Sequence, residues 1–102
     1  MKTRGSHNYY VYILTNRNKT VLYIGVTSNL KIRIAQHEEN AIVNSKAFTS
    51  KYKCFYLIFY EHFNNIDQAI TREKQIKGWK RIKKVNLIND FNPNWNFLNE
   101  MI

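Results

Sequence analysis

A chain of 102 residues is enough for one domain and too short for two ordinary ones, and with 44% hydrophobic and 15% aromatic residues it can build a compact core, which excludes disorder over most of its length. The lone Cys54 excludes an internal disulfide and a cysteine-clustered zinc site; no apolar run reaches about 18 residues and the opening MKTRGSHNYY is polar, so neither a membrane span nor a signal peptide is expected, and a reducing cytoplasm is the expected setting. Sixteen Lys and Arg against seven Asp and Glu give a formal net charge of +9, which brings nucleic acid forward as a partner, with solubility as the plainer explanation.

Tyr9–Leu14 (YYVYIL) and Val21–Val26 (VLYIGV) are rich in β-branched and aromatic residues, and the TNRNKT between them suits a turn, so the pair reads as a β-hairpin. Thr27 and Ser28 offer capping hydroxyls to a first helix over roughly Asn29–Glu39, with Leu30 and Ile34 one turn apart and Arg33 and His37 making a second such pair. Asn40–Lys53 has no clear period and reads as a loop with a helical turn, presenting Lys46, Lys51 and Lys53. The unbroken apolar run Cys54–Tyr60 (CFYLIFY) reads as a central strand covered on both faces. Ile66, Ala69, Ile70, Ile76 and Trp79 then fall on one helical stripe, with Asp67 in the first turn, which predicts a helix to about Val85 with Gly78 as its weak point. The NPNW at Asn92–Trp95 predicts a turn that lets Trp95, Phe97 and Leu98 anchor the tail on the core. The order is β-β-α-β-α, with room for a last helix: an α+β class with a small three-stranded antiparallel sheet flanked by helices.

Glu73 is the most informative residue. It falls inside the apolar stripe of its helix, while Arg72, Lys74, Lys77, Lys80, Arg81, Lys83 and Lys84 surround it with positive charge. A carboxylate there must pair with a cation, accept hydrogen bonds or bind a metal, and a salt bridge to Arg33 or a neighbouring Lys competes with metal ligation as the explanation. In the hairpin, Tyr12 and Tyr23 can share one side of paired strands; taken singly, each is also well explained as a core aromatic with a wet hydroxyl.

Together these positions resemble the GIY-YIG nuclease family. Tyr10-Val11-Tyr12 stands at the GIY element, Tyr23-Ile24-Gly25 is a literal YIG, Arg33 and His37 follow at the spacing of the family's helical motif, and Glu73 stands at its metal-binding glutamate. The resemblance runs from about Tyr9 to Leu98 and closely matches small stand-alone bacterial members, with similarity also to the N-terminal nuclease domain of the excision-repair endonuclease. Tyr10 replaces the first glycine of GIY, and the family's C-terminal asparagine could be Asn86, Asn89 or Asn92, of which Asn92 is favoured although it equally suits a turn before Pro93. The resemblance implies an endonuclease that hydrolyses DNA phosphodiesters, monomeric or weakly dimeric. Glu73 would hold one Mg²⁺ or Mn²⁺, Arg33 would bind the scissile phosphate, Tyr12 would activate water, and Tyr23 and His37 would complete the proton relay. Lys46, Lys51, Lys74, Lys77, Lys80, Arg81 and Asn92 are the candidate contacts to nucleic acid. A binding module of the same fold that cuts nothing, and a ribonuclease, are the alternatives.

Overall fold

Asn16 fixes the first turn. Its side-chain oxygen accepts from the amides of Thr20 at 2.8 Å and Val21 at 3.0 Å, and its carbonyl accepts from the Lys19 amide at 3.0 Å. Lys19 takes left-handed backbone, φ 61°, a conformation tolerated because the Asn side chain replaces backbone partners through the turn. In the computed structural model, which describes residues 8–43 and 52–102, this turn joins β1 (Tyr9–Thr15) antiparallel to β2 (Leu22–Thr27), with Tyr12 opposite Gly25. Five further elements follow: α1 (Leu30–Val43), β3 (Tyr56–Phe63), α2 (Ile66–Gly78), α3 (Arg81–Phe91) and a 3-10 turn, Asn99–Met101. The fold is α+β, in the order β-β-α-β-α-α. Among the described residues no helix is long and apolar enough to cross a membrane.

The strand order is β2-β1-β3, so β1 is central, and the expectation of a central third strand is corrected. An unbroken apolar run reports cover on both faces, not position in the sheet. β3 is covered on its faces, and the start of its outer edge is capped by the tail: the Leu98 amide donates to Leu57 O at 2.7 Å, while the Asn99 side chain accepts from the Leu57 amide at 2.8 Å and donates to Phe55 O at 2.8 Å. β3 also begins and ends later than the sequence suggests. Ile13 pairs with Phe59 but Leu14 with Leu57, so Ile58 is an extra residue in a β-bulge.

Alternation along β1 sends successive side chains into two cores. Val11 and Ile13 join Ile24, Ile58, Phe59, Ala69, Ile76 and Ile88, the core beneath α2 and α3. Tyr12 and Leu14 join Leu30 and Ile34 of α1, with Cys54, Leu57 and Leu98. The cap of α1 is Asn29, whose side chain accepts from the Ile32 amide at 3.0 Å; Thr27 instead braces the approach by accepting from the Asn29 amide at 3.1 Å. The helix runs on to Val43, beyond its expected end, and the middle of the expected loop, residues 44–51, lies outside the described residues.

A single helix from Ile66 to about Val85 is also corrected. α2 is capped at its start by Asn65, which accepts from the amides of Asp67 and Gln68, and it ends at Gly78. Trp79 and Lys80 have extended backbone, ψ 152° and 158°, before α3 begins. Glycine weakens the helix there. Leaving the helix lets Trp79 pack on the core while Arg72 and Lys83 approach its ring at 5.2 and 4.6 Å.

Candidate active site

The even-numbered side chains of β1 point toward α1, and Tyr12 is therefore carried to His37 on that helix. The Tyr12 hydroxyl lies 3.0 Å from His37 Nε2, and the two residues are only 1% and 2% exposed. Tyr23, on the neighbouring strand, packs its ring 5.3 Å from that of His37 and 6.4 Å from that of Tyr12. Glycine is required opposite: a Cβ on Gly25 would collide with the Tyr12 hydroxyl and ring. The YIG element thus supplies both an aromatic neighbour for Tyr12 and the gap that its ring fills.

Arg33 lies one turn before His37 on α1, half-buried, and its Nη1 donates to Gln36 Oε1 at 3.0 Å. Gln36 escapes sequence reasoning because its value lies only in orienting the guanidinium. Burial pushes the Tyr12 hydroxyl up to about 12, assisted by Tyr23 and Glu73, against a downward pull from the charge of Arg33 and its hydrogen bond to the phenol. Burial, and then the charge of Arg33, pushes His37 down to about 4. At pH 7 the pair is therefore a neutral phenol beside a neutral imidazole. Such a pair starts without a buried charge, but transfer from the phenol to the imidazole is uphill and proceeds only in concert with proton acceptance by the phenol oxygen.

Glu73 reaches the site from α2, close enough to act electrostatically on Tyr12. Ala69 and Ile76 on the same helix face are buried and the Glu73 side chain is 14% exposed. Its Oε2 is 3.2 Å from Lys77 Nζ, so the anticipated ion pair to a neighbouring lysine is present. Among the described residues no three His, Cys, Asp or Glu side chains cluster as a metal cage. One hard carboxylate that already accepts a cation fits an ion that keeps most of its waters, as Mg²⁺ does, and does not fit a fully ligated structural zinc.

The structure thus brings together Tyr12, Tyr23, Arg33 and His37, with Glu73 in electrostatic range. Lys74, Lys80 and Arg81 are exposed around the α2–α3 junction, and Lys77 is half-exposed while paired to Glu73. Lys46 and Lys51 lie outside the described residues. Lys53 donates to Ala41 O at 2.9 Å, a tether between chain segments. Asn92 is buried at the end of α3: its amide nitrogen donates to Ile58 O at 3.0 Å and Asn96 O at 2.9 Å, and its oxygen accepts from the Asn96 amide at 3.1 Å. That is the turn role foreseen beside its role as a nucleic-acid contact.

Residues 8–86 match the GIY-YIG catalytic domain. A UPF0213 protein of Natronomonas pharaonis is 32% identical over 83 residues, covering 81% of this chain and 93% of that protein. A UPF0213 protein of Staphylococcus haemolyticus is 34% identical over 82 residues, covering 80% and 95%. The solution NMR structure of a UPF0213 protein from Bacillus halodurans is similar with a TM-score of 0.49 and 26% identity, covering 80% of this chain and 83% of that one.

Proposed function

The chain belongs to the GIY-YIG catalytic-domain family, and we propose from that premise that it is a divalent-cation-dependent endonuclease that hydrolyses DNA phosphodiester bonds in the cytoplasm. The observation that carries this reading is the buried Tyr12–His37 contact with Arg33 beside it. Phosphodiester hydrolysis needs a proton acceptor for water, positive charge on the phosphoryl oxygens and stabilisation of the leaving oxygen.

Tyr12, neutral at pH 7, is too weakly acidic to act as a preformed phenolate base. In the proposed step it accepts the proton of the attacking water while passing its own hydroxyl proton to His37 Nε2, with the imidazole in the tautomer protonated on Nδ1. The imidazolium formed then releases the proton to solvent back through the Tyr12 hydroxyl, and the leaving 3′-oxygen is protonated from water. Half-buried Tyr23 and Arg33 present this pair to the substrate, and Arg33 donates to the scissile phosphate with a fork that lysine lacks. A divalent cation held by Glu73 would supply charge to a non-bridging oxygen and to the departing 3′-oxygen. Lys74, Lys80 and Arg81 bind flanking phosphates.

The Glu73–Lys77 pair also favours a second reading, a nucleic-acid-binding module whose carboxylate serves only the helix. One assay separates the two. Purified protein is incubated with supercoiled, linear, branched and single-stranded DNA, and with RNA, with and without Mg²⁺ or Mn²⁺. Cation-dependent DNA cuts that disappear in Glu73→Ala, with DNA binding retained, are the expected result; binding without cleavage in every condition would leave the module, and cleavage of RNA alone would reassign the substrate.

A further inference from the structure

The carboxylate oxygen nearest to a cation is already occupied. Lys77 reaches back one helical turn and sets its ammonium 3.2 Å from Glu73 Oε2, with the lysine side chain 52% exposed and the glutamate side chain 14% exposed. The order Glu then Lys at i, i+4 is the favourable one on a helix, and although the carboxylate is mostly buried, the half-exposed lysine end stays within reach of water and open to exchange. A divalent ion seated on the same carboxylate would meet an ammonium within ion-pair distance, and two cations this close repel strongly in a partly desolvated site. Both can share the carboxylate only through different lone pairs and against that repulsion, so each weakens the other's hold. Once released, the lysine carries three donors on a flexible stem, on the same stretch of chain as the exposed Lys74, Lys80 and Arg81 proposed to bind phosphates.

We propose that Lys77 is an intramolecular competitor for the cation site at Glu73, holding the carboxylate until a divalent ion displaces its ammonium, which then turns to the nucleic-acid backbone. The inference rests on the reading of Glu73 as the cation ligand. It makes Lys77 a positioning residue in the free protein. It also makes cation binding and DNA binding mutually favourable, since both draw the lysine away from Glu73.

The test is calorimetric titration of Mn²⁺ at pH 7 into the full chain without DNA, for wild type and for Lys77→Met, Lys74→Met and Glu73→Gln. Lys77→Met is expected to tighten Mn²⁺ binding by about 2- to 5-fold, the range set by a weak ion pair. Lys74→Met removes the same charge from the exposed neighbouring position and is expected to leave the affinity near wild type. In wild-type protein, Mg²⁺ is expected to shift the ¹⁵N resonance of Lys77 Nζ and leave that of Lys74 in place. Unchanged or weaker binding by Lys77→Met, while Glu73→Gln abolishes binding, overturns the role of Lys77 and leaves the cation site standing. Equal tightening by the two lysine variants overturns it too, reducing the effect to net charge. Wild-type affinity in Glu73→Gln overturns both this inference and the cation site beneath it.

Discussion

The hydroxyl of Tyr12 and Nε2 of His37 lie 3.0 Å apart although 25 positions separate the residues in the chain, so one contact ties the central strand to α1 inside the protein. Both groups are neutral at pH 7. Replacing Tyr12 by Phe removes the hydroxyl and keeps the ring over Gly25. Cleavage is therefore expected to fall by about 10²-fold or more, the usual loss when a proton-transfer group is removed, while DNA affinity stays close to wild type and melting temperature falls only as far as the lost buried contact to His37 Nε2 requires. Single-turnover rates at saturating enzyme provide the measurement, and a wild-type rate would remove Tyr12 from the reaction.

His37 makes stability depend on pH. Its folded value of about 4 lies below the ordinary 6.5, so between these values the unfolded chain binds the proton more readily than the folded one. Stability contributed by keeping the ring neutral is complete above pH 6.5 and declines as pH falls toward 4, by up to about 3 kcal/mol. Urea unfolding at pH 7.0 and 4.5 should show this decline, and His37→Gln should flatten it; an equally steep decline in the variant would assign the slope to other groups.

Gly25→Ala places a methyl group where the Tyr12 hydroxyl and ring lie. Overpacking of this kind costs about 1–3 kcal/mol, and relief requires the Tyr12 ring to shift, which disturbs its 3.0 Å contact with His37 Nε2. The expected outcome is a lower melting temperature together with a cleavage loss comparable to that of Tyr12→Phe. Full activity in a folded Ala variant would show that the fit between strand and ring is dispensable.

Lys80→Ala and Arg81→Ala alter exposed cations remote from the Tyr12–His37 pair in sequence. If each neutralises one phosphate, each lowers DNA affinity for all sequences alike and reduces the slope of log K against log salt by about 1. Fluorescence anisotropy across a salt series measures the slope. An unaltered slope in both variants would remove the α2–α3 junction from the interface.

Asn92→Ala leaves the carbonyls of Ile58 and Asn96 and the amide of Asn96 without their side-chain partner. A loss of about 1–3 kcal/mol in unfolding free energy is expected, chiefly from the buried Ile58 carbonyl, since the Asn96 groups are partly open to water, with DNA affinity unchanged at temperatures where the variant is folded. Weakened DNA binding with unchanged stability would restore Asn92 as a contact to the phosphate backbone.

Local rules made much of this legible. The alternation of YYVYIL placed Tyr12 and Val11 on opposite faces, and the 3.6-residue period put Arg33 beside His37 and Glu73 among Ala69 and Ile76. Distant partners defeated the rest. CFYLIFY looks central because both its faces are covered, but its place in the sheet depends on the outer hydrogen-bond partners of Leu57, which are Leu98 and Asn99. Gly78 was recognisable as a weak point, whereas the break itself depends on Trp79 leaving the helix to meet the core. At Glu73 the alternatives were a neighbouring cation or a metal, and periodicity alone cannot tell an oxygen that holds Lys77 from one that exchanges it.

The capping of β3 by the tail also orders events during synthesis. Leu57 can pair inward with Leu14 as soon as both have left the ribosome, but its outward amide and carbonyl must wait for the segment that contains Leu98 and Asn99. At about 5–20 residues per second, some forty residues of translation leave this edge open for seconds. During that interval a nascent chain offers an unprotected strand rich in aromatic residues to its neighbours on the same polysome, and the later segment with Leu98 and Asn99 is what withdraws it.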